Sequence, residues 1–277
     1  MSIEAIANLP PLRDVIDEHE LRATKALGQN FLLDLNLTRK IARVADIGID
    51  DHIIEIGPGP GGLTRGILLE GAKNLIAIEF DPRAVNALQS LNDAANGILT
   101  ILHDDALKMD MMTHGHDGSR KIIANLPYNI ATPLLIGWLK QIHDHGNNAY
   151  QSITVMVQKE VAERICAPFG SKQYGRLTVL TQWLCDCRIE FDVPRTAFVP
   201  PPKVTSSIIH LTPKKRDDDV EFETIEKLTA AAFGQRRKTI RQSLKPFSEA
   251  LHTSGLDTQL RAENLSVANF IQLANCL

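Results

Sequence analysis

Four short apolar runs, His52 to Ile56, Leu75 to Ile78, Ile98 to Leu102 and Lys121 to Ala124, recur at near-regular spacing through the first half of the chain. Each is too short to be a buried helix. Between the first three runs the apolar residues adopt helical spacing, first over Leu63 to Leu69 and then at Val85, Leu88 and Leu91. Strand, helix, strand, helix in this rhythm is satisfied by a parallel sheet with right-handed crossovers. Ligands of such sheets gather beyond the carboxyl ends of the strands. The residues directly after each run are therefore the candidates for function.

After the first run comes Gly57-Pro58-Gly59-Pro60-Gly61. A pyrophosphate cradle relies on free backbone N–H groups, and two prolines remove two of them, so this turn suits close approach by a ligand without phosphate. Glu55 places a carboxylate beside the turn, Glu79 ends the second run where an acid can take ribose hydroxyls, and Asp105 follows the third. Singly, these are an ordinary turn and ordinary strand-end acids. One per strand, in order, they fit S-adenosylmethionine, with its sulfonium, ammonium, ribose and adenine.

The fourth run leads into Asn125-Leu126-Pro127-Tyr128. Asn125 offers a side-chain acceptor, and Leu126, held extended by Pro127, offers its carbonyl. Tyr128 adds a flat ring. Two acceptors and a stacking plate suit an exocyclic base amine, whereas the bland alternative is a strand end, a turn proline and a half-buried tyrosine. Thr132 and Pro133 read as the cap and first residue of the following helix.

The chain has 277 residues and a net charge of −3, which argues against coating nucleic acid by bulk charge. The balance is uneven: residues 1–150 carry 13 Lys and Arg against 19 Asp and Glu, and residues 151–277 carry 17 against 14. A nucleic-acid partner should touch mainly the second half. The start of the chain lacks the basic flank and apolar core of a signal peptide, and no apolar run is of membrane-spanning length. Cys166, Cys185, Cys187 and Cys276 form no zinc-binding pattern, so free thiols in a reducing cytoplasm and no metal are expected. The expected organisation is a loosely attached leader over 1–24, a catalytic domain over 25–213, and a helical domain over 214–277. The boundary falls at the charge run Lys214 to Asp219.

Five separated motifs carry a resemblance. They are Leu27 to Leu32 (Leu-Gly-Gln-Asn-Phe-Leu), Glu55 to Gly59, Asn125 to Tyr128, Phe198 to Ser206, and Phe233 to Thr239 (Phe-Gly-Gln-Arg-Arg-Lys-Thr). Together they resemble the bacterial small-subunit ribosomal RNA adenine dimethyltransferase family, KsgA/RsmA, over roughly Lys25 to Ala274. Thr205 replaces a common acid in the proline loop, and the leader is longer than usual. The resemblance implies a Rossmann-like class I methyltransferase sheet of seven strands, the last antiparallel, with a small all-α C-terminal domain. Ser206 to Leu211 suits the returning strand. It implies S-adenosylmethionine held by Asn30, Leu32, Glu55, Gly57, Gly59, Glu79, Asp105 and Asn125. It implies catalysis by Asn125, Leu126, Pro127 and Tyr128, with Phe198 on the opposite face of a flipped adenine.

The implied reaction is N6,N6-dimethylation of two adjacent adenines in the 3′-terminal hairpin loop of small-subunit rRNA, by a cytoplasmic monomer acting on the assembling subunit. Arg237, Arg241 and Lys245 recur every four residues, so one helix face flanked by Arg236 and Lys238 is expected to bind RNA phosphates. A large-subunit rRNA dimethylase of the macrolide-resistance type shares the central motif, but the Phe233 to Thr239 run argues against it. A DNA adenine methyltransferase more typically shows a double-proline version of that motif. A non-catalytic assembly or transcription factor on the same fold is opposed by the intact Asn125 and Glu79.

Overall fold

The computed structural model describes residues 3–21 and 30–277. Lys25, Ala26 and the Leu27 to Gln29 part of the first motif lie outside the described residues. The chain divides into two units: residues up to Lys159 with Arg188–Pro213, and Glu160–Cys187 with Lys214–Leu277.

The first unit opens with helices α1 (Ile3–Ala7) and α2 (Leu12–Glu18) and a short strand β1 (Phe31–Leu32). Then follow α3 (Leu35–Val44), β2 (His52–Ile56), α4 (Gly62–Leu69), β3 (Asn74–Glu79), α5 (Pro82–Ala87), α6 (Gln89–Ala95) and β4 (Leu99–His103). Next come β5 (Arg120–Asn125), α7 (Tyr128–His145) and β6 (Ser152–Gln158). After α8 (Lys159–Ile165) and α9 (Arg176–Leu184) the chain returns through β7 (Cys185–Val193), β8 (Phe198–Val199) and β9 (Ser206–Pro213).

Seven strands form one sheet in the order β4-β3-β2-β5-β6-β9-β7. The pairs β2–β3, β3–β4, β2–β5 and β5–β6 are parallel, and β9 runs antiparallel beside β6, as expected of the returning strand. Helices cover both faces of a parallel sheet, which is why β2, β5 and β6 are almost continuously buried, with apolar residues at their centres. In register, Ile56 lies beside both Ile78 and Ala124, so Gly57, Glu79 and Asn125 emerge level on one edge. This edge, formed by hydrogen-bond pairing alone, brings together residues that are far apart in the chain.

The N-terminal segment is not a loose leader. Ile6 is fully buried in the main core with Ile67 and Leu68, and Leu12 and Leu21 are buried as well. Arg65, on α4, donates to the carbonyls of Ala7 (2.8 Å), Leu9 (2.9 Å) and Pro10 (2.9 Å). The carbonyls around Pro10 are free of a helix ladder, and a guanidinium with its fork of donors satisfies three at once. Composition gave no hint of this, because the partner lies in another element.

The helix after the fourth strand also begins earlier than its sequence suggests. It starts at Tyr128, where the Pro127 carbonyl accepts from Ile130 and Ala131 (3.1 Å each), and Pro133 lies inside it. Proline there removes only one ladder bond, early in an 18-residue helix, and packing of Ala131, Leu134, Leu135 and Trp138 outweighs it. Tyr128 therefore stands on a helix terminus, leaving a loop of only Leu126 and Pro127.

In the second unit, α9 and all of α8 but its first residue group with α10 (Phe222–Gly234), α11 (Ile240–Ser243), α12 (Ser248–Thr253) and α13 (Val267–Ala274). The segment 160–187, expected within the catalytic domain, thus contributes to the helical unit. Aromatic contacts show why: Trp183 stacks on Phe222 (6.3 Å between centroids), and Tyr174, Phe233 and Phe270 form a chain of rings. The charge run at 214–219 is pinned rather than free. Arg216 lies over the Trp183 ring at 4.4 Å and pairs with Asp218 at 2.6 Å, which in turn accepts from the Trp183 indole.

Candidate active site

A cavity of about 270 Å³ lies within the first unit, lined from the ends of β2, β3 and β5 and the segments after them and after β4. Among the described residues its acidic lining is Glu55, Glu79, Asp81, Asp104 and Asp105, and no Lys or Arg lines it. The cavity therefore favours a cationic ligand.

The glycine turn forms the floor. Gly57, Gly59 and Gly61 have φ of 66°, 55° and 88°, a region costly for residues with a Cβ. At Gly59 a Cβ would also come within 3.0 Å of the Phe31 ring. The N–H groups of this turn are all spoken for. Gly57 donates to Ile78 (2.9 Å), Gly59 to the Glu79 carboxylate (2.9 Å) and Gly61 to Pro58 (3.0 Å), while Pro58 and Pro60 have none. Within Gly57 to Gly61 a phosphate would find no free donor. A ligand without phosphate fits.

Glu79 is held rigidly. Its Oε1 accepts from the N–H groups of Phe80 and Asp81 (2.8 Å each), and its Oε2 accepts from Gly59, leaving an acceptor site open. Burial raises its pKa, opposed by those backbone hydrogen bonds. Glu55 is buried at 1% exposure, and its Oε2 has no partner among the described residues. Burial pushes its carboxyl up to about 8, with the charge of Glu79 adding to the effect and Thr64 opposing it. Asp105 sits at the rim, accepting from the Leu107 N–H (3.1 Å) and pairing with Lys108 (3.3 Å). Asn30 and Leu32 line the same cavity, as do Gly57 and Gly59.

Asn125 ends β5 and donates its side-chain NH₂ to the Asn30 carbonyl at 3.2 Å. A carbonyl can only accept, so this contact fixes the amide's orientation and leaves Oδ1 as the acceptor. No backbone N–H among the described residues donates to the Leu126 carbonyl. Tyr128 lines the cavity while its hydroxyl hydrogen-bonds Ser206 Oγ at 2.7 Å, and burial raises its pKa. Asn125, Leu126, Pro127 and Tyr128 are thus brought together with the acidic floor.

Phe198 is not. It pairs with Leu32 across β8 and β1 and is 1% exposed within the core, so it does not line the cavity. Its aromatic surface is used up by packing. The proline-loop motif serves the site from behind: Phe198 backs Leu32, and Ser206 anchors Tyr128. Sequence reading also missed Phe80 and Leu107, which line the cavity with 59% and 47% exposure. An aromatic directly after a strand-end acid was the available signal.

The basic residues do not share a helix face. Arg236, Arg237 and Lys238 lie in the turn after α10, Arg241 lies in α11, and Lys245 lies beyond it. Gly234 ends α10, so the four-residue period does not run through. All five are exposed.

The profile of the family described as ribosomal RNA adenine dimethylase matches residues 20–277. The chain belongs to that family. It is 51% identical over 277 residues to ribosomal RNA small subunit methyltransferase A of Xanthobacter autotrophicus, covering 99% of this chain and 96% of the relative. It is 54% identical to the protein of the same name from Rhizobium meliloti, covering 99% of each. Among solved structures, a dimethyladenosine transferase from Plasmodium falciparum matches at 27% identity with a TM-score of 0.74, covering 88% of this chain and 95% of that one. The 23S rRNA methyltransferase ErmE shares the fold at 24% identity and a TM-score of 0.66, covering 90% and 99%. The chain is thus a class I methyltransferase that uses S-adenosylmethionine, and the phosphate-free, acidic cavity fits that cofactor. Among the described residues no cluster of His, Cys, Asp or Glu is arranged for a metal, and no helix is long and apolar enough to cross a membrane. The four cysteines are free thiols.

Proposed function

We propose that this methyltransferase dimethylates the exocyclic amines of two adjacent adenines in the 3′-terminal hairpin loop of small-subunit rRNA, in the cytoplasm, as a monomer on the assembling subunit. The observation that carries the reading is the open acceptor pair at the end of β5. Asn125 Oδ1 and the Leu126 carbonyl lie beside an acidic, phosphate-rejecting cavity. The full-length relatives named as small-subunit methyltransferases support the substrate.

The cofactor supplies an electrophilic methyl group on a sulfonium. The protein's share is placement and electrostatics. Glu79 Oε2 would accept from the ribose and Asp105 from the adenine amine, and Glu55, whose Oε2 has no partner among the described residues, would face the cationic end. Phe80 and Leu107 give the heterocycle an apolar bed. On the substrate side, the lone pair of an adenine amine is delocalised into its ring. Two acceptors on its hydrogens, Asn125 Oδ1 and the Leu126 carbonyl, favour a pyramidal nitrogen and strengthen as it becomes cationic. No strong base is needed for that. Tyr128, its ring fixed through Ser206, provides the stacking face.

Asn125→Ala tests this reading. At saturating cofactor it should lower single-turnover methylation of unmodified small subunits about a hundredfold to a thousandfold, with RNA affinity retained. Mapping the labelled adenines in the wild-type reaction identifies the target. Near-normal turnover by the variant would show that the acceptor pair is not the site of transfer.

A further inference from the structure

The second unit holds an exposed aromatic that packing does not require. Phe169, in the loop between α8 and α9, is 58% exposed and sits edge-on to Tyr174, with centroids 5.8 Å apart. Tyr174 is buried and rests on Phe233 at 6.1 Å. A single exposed hydrophobe is ordinary, but this one stands on a rigid ring and in an unusual charge setting. No Asp or Glu occurs from 164 to 185 or from 227 to 248. Those two acid-free segments are joined. The Arg236 guanidinium donates to the carbonyls of Lys172 (2.7 Å) and Tyr174 (2.8 Å). The turn carrying Arg237 and Lys238 is thereby held against the loop carrying Phe169 and Lys172.

Lys172, Arg237 and Lys238 are exposed and form no salt bridge among the described residues. An exposed ring flanked by unpaired cations, on segments that carry no carboxylate, is the chemistry of a single-stranded nucleic-acid contact, where base stacking and phosphate attraction combine. A protein partner would find no acid within these two segments to pair with its own cations, and Glu160 and Glu226, which reach the first of them, are already paired with Arg164 and Arg176.

We propose that the loop 167–173 and the turn 236–238 form one single-strand RNA site on the helical unit. In it, Phe169 stacks an unpaired base, and Lys172, Arg237 and Lys238 hold the adjoining phosphates. Arg236 is the positioning residue: its Nη2 donates to both carbonyls, and it acts by holding the loop. The proposal rests on the reading that this enzyme binds RNA through its second unit, and it adds a site and a base-contacting residue to that reading.

The test uses the full-length protein with a short fluorescent oligoadenylate and a blunt RNA duplex as probes, across a range of salt. Phe169→Ala should weaken oligoadenylate binding about tenfold, on the scale of one lost base stack, with duplex binding and the salt slope unchanged. Lys172→Ala should reduce the salt slope by about one. Arg236→Ala should speed tryptic cleavage after Lys172 in the RNA-free protein, which Arg237→Ala should not do; equal cleavage in both would overturn the clamp. Oligoadenylate binding by Phe169→Ala equal to wild type would overturn the stacking site. If Phe169→Ala is silent while charge reversal at Arg237 and Arg241 still weakens RNA binding, only this proposal falls. If neither set of variants alters RNA binding, the broader reading of the unit falls with it.

Discussion

Glu55→Gln gives the sharpest physical test of the cofactor cavity. The carboxyl is buried at 1% exposure with Oε2 unpartnered, and its pKa stands at about 8 against 4.5 for the free side chain. A raised carboxyl pKa means that the fold prefers the protonated group. Its contribution to stability is fully present below 4.5 and is lost as the pH rises through 8. At about 1.36 kcal/mol per unit, the displacement amounts to something on the order of 5 kcal/mol across that window. Gln has the same shape without the charge, so it removes the titration. Urea unfolding at a series of pH values should show the wild type losing stability relative to Glu55→Gln by up to about 1.4 kcal/mol per pH unit between the two pKa values. The variant should therefore be the more stable protein above pH 8. Glu79 also titrates upward, and because its charge raises the Glu55 pKa the difference between the two proteins reports the Glu55 titration together with that coupling. The same reasoning extends to the ligand. A cation entering the cavity draws the proton off Glu55, so titration calorimetry in buffers of different ionisation enthalpy should register about one proton released per cofactor near pH 7, and none with Glu55→Gln. Parallel stability profiles for the two proteins would refute the reasoning, because they would show Glu55 to be equally ionised in the folded and unfolded states.

Arg65→Ala removes three hydrogen bonds from a buried guanidinium to the N-terminal carbonyls. It should destabilise the protein by about 2–4 kcal/mol and expose the bond after Arg13 to trypsin; unchanged protection would show that the segment is held by apolar packing alone. Ser206→Ala frees the Tyr128 hydroxyl and should cost about 0.5–1.5 kcal/mol, with a smaller loss of turnover than Tyr128→Ala, measured in single-turnover assays. Glu79→Ala should weaken cofactor binding by roughly 1–3 kcal/mol; wild-type affinity in calorimetry would remove Glu79 from the ribose.

What the sequence determined by itself was the sheet and its ligand edge. Parallel strands buried on both faces are short and apolar at their centres, so the runs of β2, β3 and β5 declare themselves, and the edge strand β4 shows the same short apolar run with less burial. Acids placed directly after them reach the strand ends whatever else happens. The prolines in the glycine turn remove two phosphate donors by their covalent structure, before any folding, and the fold then occupies the N–H groups of Gly57, Gly59 and Gly61. Features that depend on a distant partner were not legible. Arg65 captures carbonyls more than fifty positions away, and that contact converts the expected leader into an anchored part of the core. Phe198 has the chemistry of a base-stacking residue, but pairing of β8 with β1 commits its ring to the interior. Pro133 carries the local signal of a helix start, yet packing along α7 carries the helix through it and moves Tyr128 onto the first turn. The four-residue spacing of Arg237, Arg241 and Lys245 suggests one helix face, but α10 ends at Gly234 and the cations are distributed over a turn and a short helix. In each case local propensity is worth about 1 kcal/mol per residue, apart from a larger proline penalty, whereas burial and a satisfied guanidinium are worth several. Tertiary packing therefore had the deciding energy wherever the two disagreed.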